Sequence, residues 1–270
     1  MTTTPIAFPE DNAADSLQDA FSQSHNALQW LARMVRSFRT VNSGDDVALL
    51  WDSERKAFAT DDFLKGLKME LRFPELTLQF LENGKAVKHE LRMEGHTPAQ
   101  VEAWVLVELL HRGLDRGRFS KDLPYDIAHP MAGDNVEYSP DFREEELKKI
   151  LACFNSASEL LRSVAQQPSQ SAALPLTLRT RDFSLEVQVP LMSQKAEGQS
   201  DPQIRVGFFP LRNGNVDPHY RVSRSELTSS APDILEIIKI SGLSPEEVAG
   251  PQMIARIKDA VSKLQKLASQ

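Results

Sequence analysis

Cysteine is almost missing from this chain, since Cys153 is the one cysteine among its 270 residues. A single thiol excludes an intramolecular disulfide and a cysteine-rich zinc site. Free cysteines are often simply buried, so we expect Cys153 to be a small apolar residue on the buried face of a helix. Residues 1–11 contain neither a basic region nor an apolar run, and we therefore predict no signal peptide and a reducing, cytoplasmic location.

Long apolar runs and glycine-rich loops are also missing. No window approaches about 18 uninterrupted apolar residues, the length of a membrane-spanning helix, so we expect no membrane partner. The 12 glycines fit neither the dinucleotide-binding spacing nor the Walker spacing, and the motif Gly-x-Ser-x-Gly does not occur. The sequence therefore does not support a nucleotide-dependent enzyme or a serine hydrolase of that type, and we predict no cofactor.

Positive charge is the third scarce property. The formal net charge is −7 and the isoelectric point is near 5.5. Nonspecific binding to nucleic acid needs a basic face that releases counterions, so a nucleic-acid partner is not expected, although a local basic patch is not excluded. Hydrophobic residues make up 41% of the chain, which is close to the globular average and predicts a sizeable core in a soluble protein.

Residues 67–111 form the most regular stretch of the sequence. Apolar and charged residues alternate over Leu67–Phe73 with the period of a half-buried strand, and the pattern returns twice. Asn83 and Gly84 tolerate positive φ, which suits the type I′ turn of a hairpin. Thr97-Pro98-Ala99-Gln100 then has the pattern of a capped helix start. This stretch predicts three antiparallel strands followed by a helix that lies across them.

Helical and strand patterns continue on both sides of that stretch. Apolar spacing of three and four residues predicts helices over Ser16–Phe38 and Phe142–Ala165, and a helical tail that includes Ile234–Ile240 and Met253–Leu267. Alternating strands are predicted between residues 176 and 222. We therefore predict an α+β fold in which antiparallel sheets are flanked by long amphipathic helices.

The order of these elements divides the chain into three parts. We predict a flexible tail over residues 1–14, a first α+β half over residues 15–135 and a second α+β half over residues 141–270. Each half has the order helix, irregular turn, strands and helix, so two pseudo-repeated halves packed as one unit are our hypothesis. The connection over residues 114–140 is long and irregular, and such loops are often functional or interfacial.

The second half resembles an uncharacterised bacterial domain family that is defined by sequence motifs. Its members carry an Arg-x-Trp-Pro-His-His-Phe-Asp strand, a Gly-Phe-Ser-Pro-Gly-Asp turn and a Glu-Pro-Tyr-Phe-Tyr-Val strand. This chain has Gly207-Phe208-Phe209-Pro210 and then Asp217-Pro218-His219-Tyr220-Arg221-Val222 at similar spacing. In the first half, Asp45-Asp46 and Leu123-Pro124-Tyr125-Asp126 resemble two further family segments, and His25 corresponds to a helical histidine. The resemblance implies a shared fold over most of the chain.

The chain departs from this family within the polar motif. Arg181 and Asp182 stand before Phe183 where members have two histidines, and Arg179 and Ser184 replace the tryptophan and the aspartate. The resemblance therefore implies the fold without the activity, because residues that would form a site in relatives are lost here.

Acid–base chemistry has one candidate cluster, which depends on the family-like segments meeting in space. His25, Asp45, Tyr125 and Asp126 would together make a general acid–base group, as in a hydrolase. The alternative is a histidine on a helix surface with acids in solvated loops. None of the six histidines belongs to a short-spaced ligand pair on one helix or strand, so we predict no metal site.

Six arginines cluster in sequence between residues 179 and 224, within the second half of the chain. If they share one face of a sheet, they form a basic patch for an acidic partner or an anionic ligand. The alternative is a set of scattered surface charges. The residues that we assign to ligand binding are Arg179, Arg181, Arg205 and Arg221.

No complete catalytic set is present in the sequence. We therefore predict a non-catalytic binding or assembly protein with a protein or small-molecule ligand. One alternative is a hydrolase-like enzyme that uses the four acid–base candidates. The other is a binder of anions or nucleic acid through an arginine-rich face of the sheet.

Overall fold

The structure is a computed structural model that describes residues 13–166, 174–190, 203–225 and 233–267. The α-helices in these residues are α1 (Ala13–Phe38), α2 (Pro98–His111), α3 (Glu144–Ala165), α4 (Pro245–Ala249) and α5 (Pro251–Leu267). The strands are β1 (Ala48–Asp52), β2 (Ala57–Ala59), β3 (Leu67–Arg72), β4 (Thr77–Glu82), β5 (Lys85–Arg92), β6 (Thr177–Arg179), β7 (Ser184–Pro190), β8 (Gln203–Arg212), β9 (Asn215–Ser225) and β10 (Asp233–Lys239). A search of the described helices found none with the length and apolar character of a membrane span.

The described strands form one antiparallel sheet with the order β10-β9-β8-β7-β6-β1-β2-β3-β4-β5. Strands β1 and β6 pair in the middle of this sheet, with Leu49 opposite Leu178. The chain therefore has the predicted combination of helices and antiparallel strands, but in one continuous sheet. Joining β1 to β6 gives partners to backbone groups that would otherwise lie along two open edges.

The large apolar side chains of the strands share one face of the sheet. Residues directly opposite each other in antiparallel strands lie on the same side, and the registers place Phe58, Phe80 and Phe208 together on it. The ring of Phe208 lies 5.8 Å from that of Phe154 in α3, and the ring of Phe80 lies 5.7 Å from that of Trp104 in α2. The hydrophobic core therefore lies between this face and the helices.

Helix α1 is buried on more than its apolar stripe. Phe21 and Leu28 belong to the core that the helix shares with the sheet. Trp30 lies off that stripe in the sequence, yet it is also buried. Its Nε1 donates a hydrogen bond to the hydroxyl of Tyr138 at 3.2 Å. The connection between α2 and α3 therefore covers a second side of α1.

Two hairpins turn at Asn-Gly pairs. The φ angles are 51° and 78° at Asn83 and Gly84, and 52° and 81° at Asn213 and Gly214. Positive φ at both central residues is the geometry that the type I′ turn requires. The predicted turn at Asn83 is confirmed, and β8 and β9 are joined in the same way.

The predicted helix over Ile234–Ile240 is wrong. Residues Asp233–Lys239 form β10, which pairs with β9 and has Ile238 opposite Tyr220. The apolar spacing of the segment fits a helix, but isoleucine is β-branched and loses rotamer freedom there. A strand also gives partners to the backbone groups along β9, so tertiary pairing outweighs the helical pattern. The later part of the tail is helical as predicted.

Two local predictions are confirmed. Helix α2 begins with a capping box, in which Thr97 Oγ1 accepts from Gln100 N and Gln100 Oε1 accepts from Thr97 N. Cys153 is fully buried on α3, and burial raises the pKa of its thiol to about 12. The thiol is therefore protonated at neutral pH, as expected for a buried packing residue.

The predicted tail over residues 1–14 lies outside the described residues, apart from Ala13 and Ala14, which begin α1. Two further polar segments of the sequence, residues 167–173 and 192–202, also lie outside them.

Replacing Phe154 with alanine should lower the free energy of unfolding by about 3–5 kcal/mol, because the buried ring leaves a cavity. The ring contacts those of Trp51, Phe58, Phe183 and Phe208. Phe142→Ala is the matched control, since that ring is 70% exposed, and it should cost less than about 1 kcal/mol. Urea unfolding followed by circular dichroism measures both. Equal losses in the two variants would contradict this position of Phe154.

Candidate functional site

A buried network of hydrogen bonds is centred on Thr180, between β6 and β7. Its carbonyl oxygen accepts hydrogen bonds from His25 Nε2 at 2.8 Å and from Gln29 Nε2 at 3.0 Å. Its hydroxyl lies 3.2 Å from Asp46 Oδ1 and contacts the hydroxyl of Tyr125. The network therefore joins α1, the segment before β1, the turn after β6 and the connection between α2 and α3.

His25 is a buried, neutral donor in this network. Its ring stacks on Phe183 with the centroids 5.6 Å apart. A carbonyl oxygen only accepts, so the contact with Thr180 fixes a proton on Nε2. Burial lowers the pKa of His25 below its ordinary value of 6.5, while the hydrogen bond to Thr180 and the charge of Asp182 act in the opposite direction. His25 is therefore not the surface histidine of the alternative interpretation.

Tyr125 also lies within the network. Its hydroxyl donates to Gln29 Oε1 at 2.9 Å, and the guanidinium of Arg181 lies 5.2 Å from the centroid of its ring. Burial raises the pKa of Tyr125, so the hydroxyl keeps its proton. Asp126, the next residue, instead lines a cavity together with His25.

Asp46 occupies the position in the network that the sequence assigned to Asp45. Asp45 Oδ2 accepts from Asn42 N and Nδ2 at 3.1 and 2.8 Å in an exposed turn. Asp46 Oδ1 accepts from Arg181 N at 3.0 Å as well as contacting Thr180. Burial raises the pKa of Asp46, and the hydrogen bond from Arg181 lowers it. Adjacent side chains in an extended segment point in opposite directions, so only one of this pair enters the interior.

Polar side chains of α1 hold the connection between α2 and α3 in place. Asn26 Nδ2 donates to His129 O at 2.8 Å, and Asn26 Oδ1 accepts from Met131 N at 2.7 Å. Gln23 Oε1 accepts from Ser139 N at 2.8 Å. Buried backbone groups outside regular secondary structure need such partners. The connection is therefore a fixed wall, of the kind that often carries functional residues.

A cavity of about 230 Å³ lies between this connection, the turn after β6 and the hairpin of β8 and β9. Its polar and aromatic lining residues are His25, Asp126, Arg181, Asp182, Phe209, Arg212, Asn213 and Arg221. Two candidates for acid–base chemistry and two for ligand binding therefore meet at one cavity. The volume lies below the roughly 300–1,000 Å³ of most small-molecule pockets, so it fits a small ion or one end of a larger ligand.

The tip of the β8–β9 hairpin closes one side of the cavity. Gln18 Nε2 donates to Gly214 O at 2.5 Å, and Gln18 Oε1 accepts from Val216 N at 2.7 Å. A Cβ atom at Gly214 would lie 2.9 Å from His129 Cδ2 and would also meet Ala128. Glycine is therefore needed here both for the positive φ and for the close approach to the connection.

Three of the predicted ligand-binding arginines share one face of the sheet. The strand registers place Arg179, Arg205 and Arg221 on the same side. Glu186 lies between the first two, with its Oε2 atom 3.3 Å from Arg179 Nε and 3.5 Å from Arg205 Nε. Burial raises the pKa of Glu186, and the two arginines lower it. Arg179 and Arg205 are therefore engaged by a carboxylate within the protein.

Arg221 differs from these two arginines. Its guanidinium lies 4.1 Å from the centroid of the Phe209 ring, and the described residues offer it no carboxylate within ion-pair distance. The buried Nε of Arg221 likewise has no hydrogen-bond partner among the described residues. Arg212, by contrast, lies 3.7 Å from Asp217, and Arg181 donates to Gly44 O. Among the described residues, Arg221 therefore has the Phe209 ring but no carboxylate as a partner where it lines the cavity.

Sequence reasoning missed Thr180, Gln29 and Phe209. Thr180 and Phe209 belong to strand-like segments in which no spacing marks them as special. Gln29 carries a usable signal, because a polar residue on a helix that is covered on several sides needs a buried partner. The partner itself comes from a distant part of the chain and cannot be read from the sequence.

Comparison of the chain with protein-family models, with curated protein sequences and with solved structures found no match. The resemblance to the bacterial domain family therefore stays a prediction.

Replacing Thr180 with valine should lower the free energy of unfolding by about 1–3 kcal/mol, because Asp46 and Tyr125 lose a buried partner. Thr40→Val makes the same chemical change at an exposed position and should cost less than about 0.5 kcal/mol. Thermal and urea unfolding measure both variants. A Thr180→Val protein as stable as the Thr40→Val protein would show that the network does not stabilise the fold.

Lowering the pH from about 7.5 to about 5.5 should reduce the contribution of His25 to the free energy of unfolding. The folded-state pKa of His25 lies below 6.5, so under about pH 6.5 the unfolded chain binds a proton that the folded chain does not. The stability from His25 is therefore complete above that pH and falls below it. Burial also lowers the pKa of His219, which adds to the slope.

The His25→Gln variant keeps a side-chain donor for the carbonyl of Thr180 but cannot titrate. Its free energy of unfolding should therefore fall less between about pH 7.5 and about pH 5.5 than that of the wild type. Urea titrations at several pH values measure both slopes. Identical slopes would contradict a lowered pKa at His25.

Proposed function

We propose that the protein is a non-catalytic binding protein that accepts a carboxylate or phosphate group of its ligand in the cavity beside Arg221. The observation that carries this proposal is the guanidinium of Arg221, which lines the cavity without a carboxylate partner among the described residues. Withdrawing a charge from water without a partner is costly, and a bound anion would offset that cost. The planar guanidinium also suits bidentate binding of carboxylate and phosphate.

The charges around the cavity support an anionic ligand. Arg181, Arg212 and Arg221 outnumber Asp126 and Asp182 in its lining. This local excess of positive charge contrasts with the net charge of −7 for the whole chain. Charges in a partly enclosed cavity are screened by salt less than charges on an open surface, so the local excess governs binding there.

The hydrogen bonds of the network favour binding over chemistry. His25 Nε2 and the Tyr125 hydroxyl both have partners within the protein, at Thr180 and Gln29. A general base must be able to reach the proton of a substrate, and a half-buried tyrosine with a raised pKa keeps its own proton. Asp45 is also an acid–base candidate, but it does not line the cavity. Its carboxylate instead accepts a hydrogen bond from Asn42 within an exposed turn.

One observation favours the hydrolase-like alternative. His25 and Asp126 line the same cavity, where a bound ligand would meet both side chains. If the protein were such an enzyme, turnover should disappear in the His25→Ala and Asp126→Ala variants while both variants remain folded. The arginine-rich face has weaker support as a nucleic-acid surface, because Glu186 engages Arg179 and Arg205.

We also propose that residues 15–135 and 141–270 are pseudo-repeated halves flanked by long amphipathic helices. In support of this, the strands run outward from the middle of the sheet as β1 to β5 on one side and as β6 to β10 on the other. A long helix, α1 or α3, precedes each set of strands. A binding cavity formed where the two halves meet would then be a consequence of the duplication.

Inorganic phosphate and acetate are the simplest probes of the proposed cavity. We expect the Arg221→Ala change to weaken phosphate binding at least tenfold, roughly 1.4 kcal/mol, because the unpaired guanidinium is lost. Arg256→Ala removes the same charge from an exposed position on α5 and should leave binding unchanged. Isothermal titration calorimetry and nuclear magnetic resonance shifts at low salt measure the affinities, and circular dichroism checks folding.

The variant Arg221→Lys separates charge from shape. It keeps the positive charge but loses the planar fork, so its affinity should lie between those of the wild type and Arg221→Ala. Affinity should also fall as salt is added. Wild-type protein that binds neither probe, or that binds both as weakly as Arg221→Ala does, would refute the proposed function.

A further inference from the structure

A second polar cluster lies away from the cavity, where the last turns of α2 approach β5. It consists of His89 on β5 and of Glu108 and His111 on α2. The Nδ1 atoms of both histidines lie 3.6 Å from the same atom, Glu108 Oε1. The three potential ligand atoms all lie within 4.8 Å of one another.

Neighbouring groups hold the carboxylate of Glu108 in a fixed orientation. Glu108 is buried, and its Oε2 atom receives Arg112 Nη1 at 2.8 Å. Arg112 Nε lies 3.0 Å from Glu82 Oε1, and its guanidinium lies over the ring of Phe80. Arg112 therefore binds the Oε2 atom of Glu108, and the Oε1 atom points towards the two histidines. Metal-binding carboxylates are commonly oriented by such a second partner.

Direct hydrogen bonds do not account for the spacing of the cluster. A distance of 3.6 Å from each imidazole to Glu108 Oε1 exceeds the roughly 2.7–3.2 Å of a hydrogen bond of this type. An ion bonded to both atoms at about 2.1 Å would span that gap with an angle of about 120°, near the tetrahedral value. The side chains of His89 and His111 are 62% and 55% exposed, so an ion can reach them from solvent.

We propose that His89, Glu108 and His111 form a binding site for a late first-row divalent cation, with Zn²⁺ as the representative ion. Two imidazoles and one carboxylate are a donor set that zinc accepts, and three protein ligands leave a fourth position for water. The ion would tie the edge strand β5 to α2. This proposal is independent of the anion cavity.

The sequence predicted no metal site because its histidines lack short spacing along any one element. That criterion does not detect ligands that come from two elements. Here Glu108 and His111 lie three residues apart on one helix, which places them on the same face. His89 joins them only because β5 passes beside that face in the folded protein.

Zinc chloride titrated into the full chain without a polyhistidine tag, in competition with a chromophoric chelator, tests this site. We expect one equivalent to bind, and His89→Asn and His111→Asn should each weaken its affinity at least tenfold. His96→Asn is the matched control, because His96 Nδ1 lies 2.9 Å from Glu94 O, outside the cluster. That control should bind zinc as the wild type does.

Nuclear magnetic resonance of the imidazole nitrogens gives a second readout that does not depend on affinity. Zinc should shift the signals of His89 and His111 and leave that of His96 unchanged. Circular dichroism of each variant shows whether folding is kept, which is expected because both histidines are exposed. Zinc binding that is absent from the wild type, or equally strong in the His89→Asn/His111→Asn double variant, would overturn the proposal.

Discussion

Buried polar side chains must find partners, and this constraint governs how α1 sits in the protein. Gln23, Asn26 and Gln29 are all buried on this helix, and each unpaired group would cost about 1–3 kcal/mol. Their partners are backbone groups of the irregular connection between α2 and α3, and the carbonyl of Thr180. The same hydrogen bonds therefore bury the helix, order a long loop and fix one wall of the cavity.

The position of Thr180 couples that helix to the middle of the sheet. Thr180 follows β6, which pairs with β1, and its amide donates to Val47 O at 3.1 Å. Residues of α1, of the segment before β1 and of the connection are thus held by one side chain and its backbone. A cavity built against such a network is preformed, which would lower the ordering cost of binding the ligand that we propose.

The arginines of the second half illustrate two uses of the same side chain. Glu186 engages Arg179 and Arg205, so these residues balance a buried carboxylate on the sheet. Arg221 lies on the same face but rests on Phe209 and faces the cavity. Stability alone would favour an arginine that is paired with a carboxylate of the same protein. An arginine without such a pair, like Arg221, is therefore a candidate for binding a ligand.

Local chemistry was enough to predict β3, β4, β5 and α2, since alternation, the Asn83-Gly84 turn and the capping box act between near neighbours. It failed at Ile234–Ile240, where the same spacing fits a helix or a strand and only the open edge of β9 decides. The sequence by itself determined which residue types could form a site. Only the tertiary structure decided that His25, Asp126, Arg181 and Arg221 meet, because contacts between distant segments depend on how the whole sheet pairs.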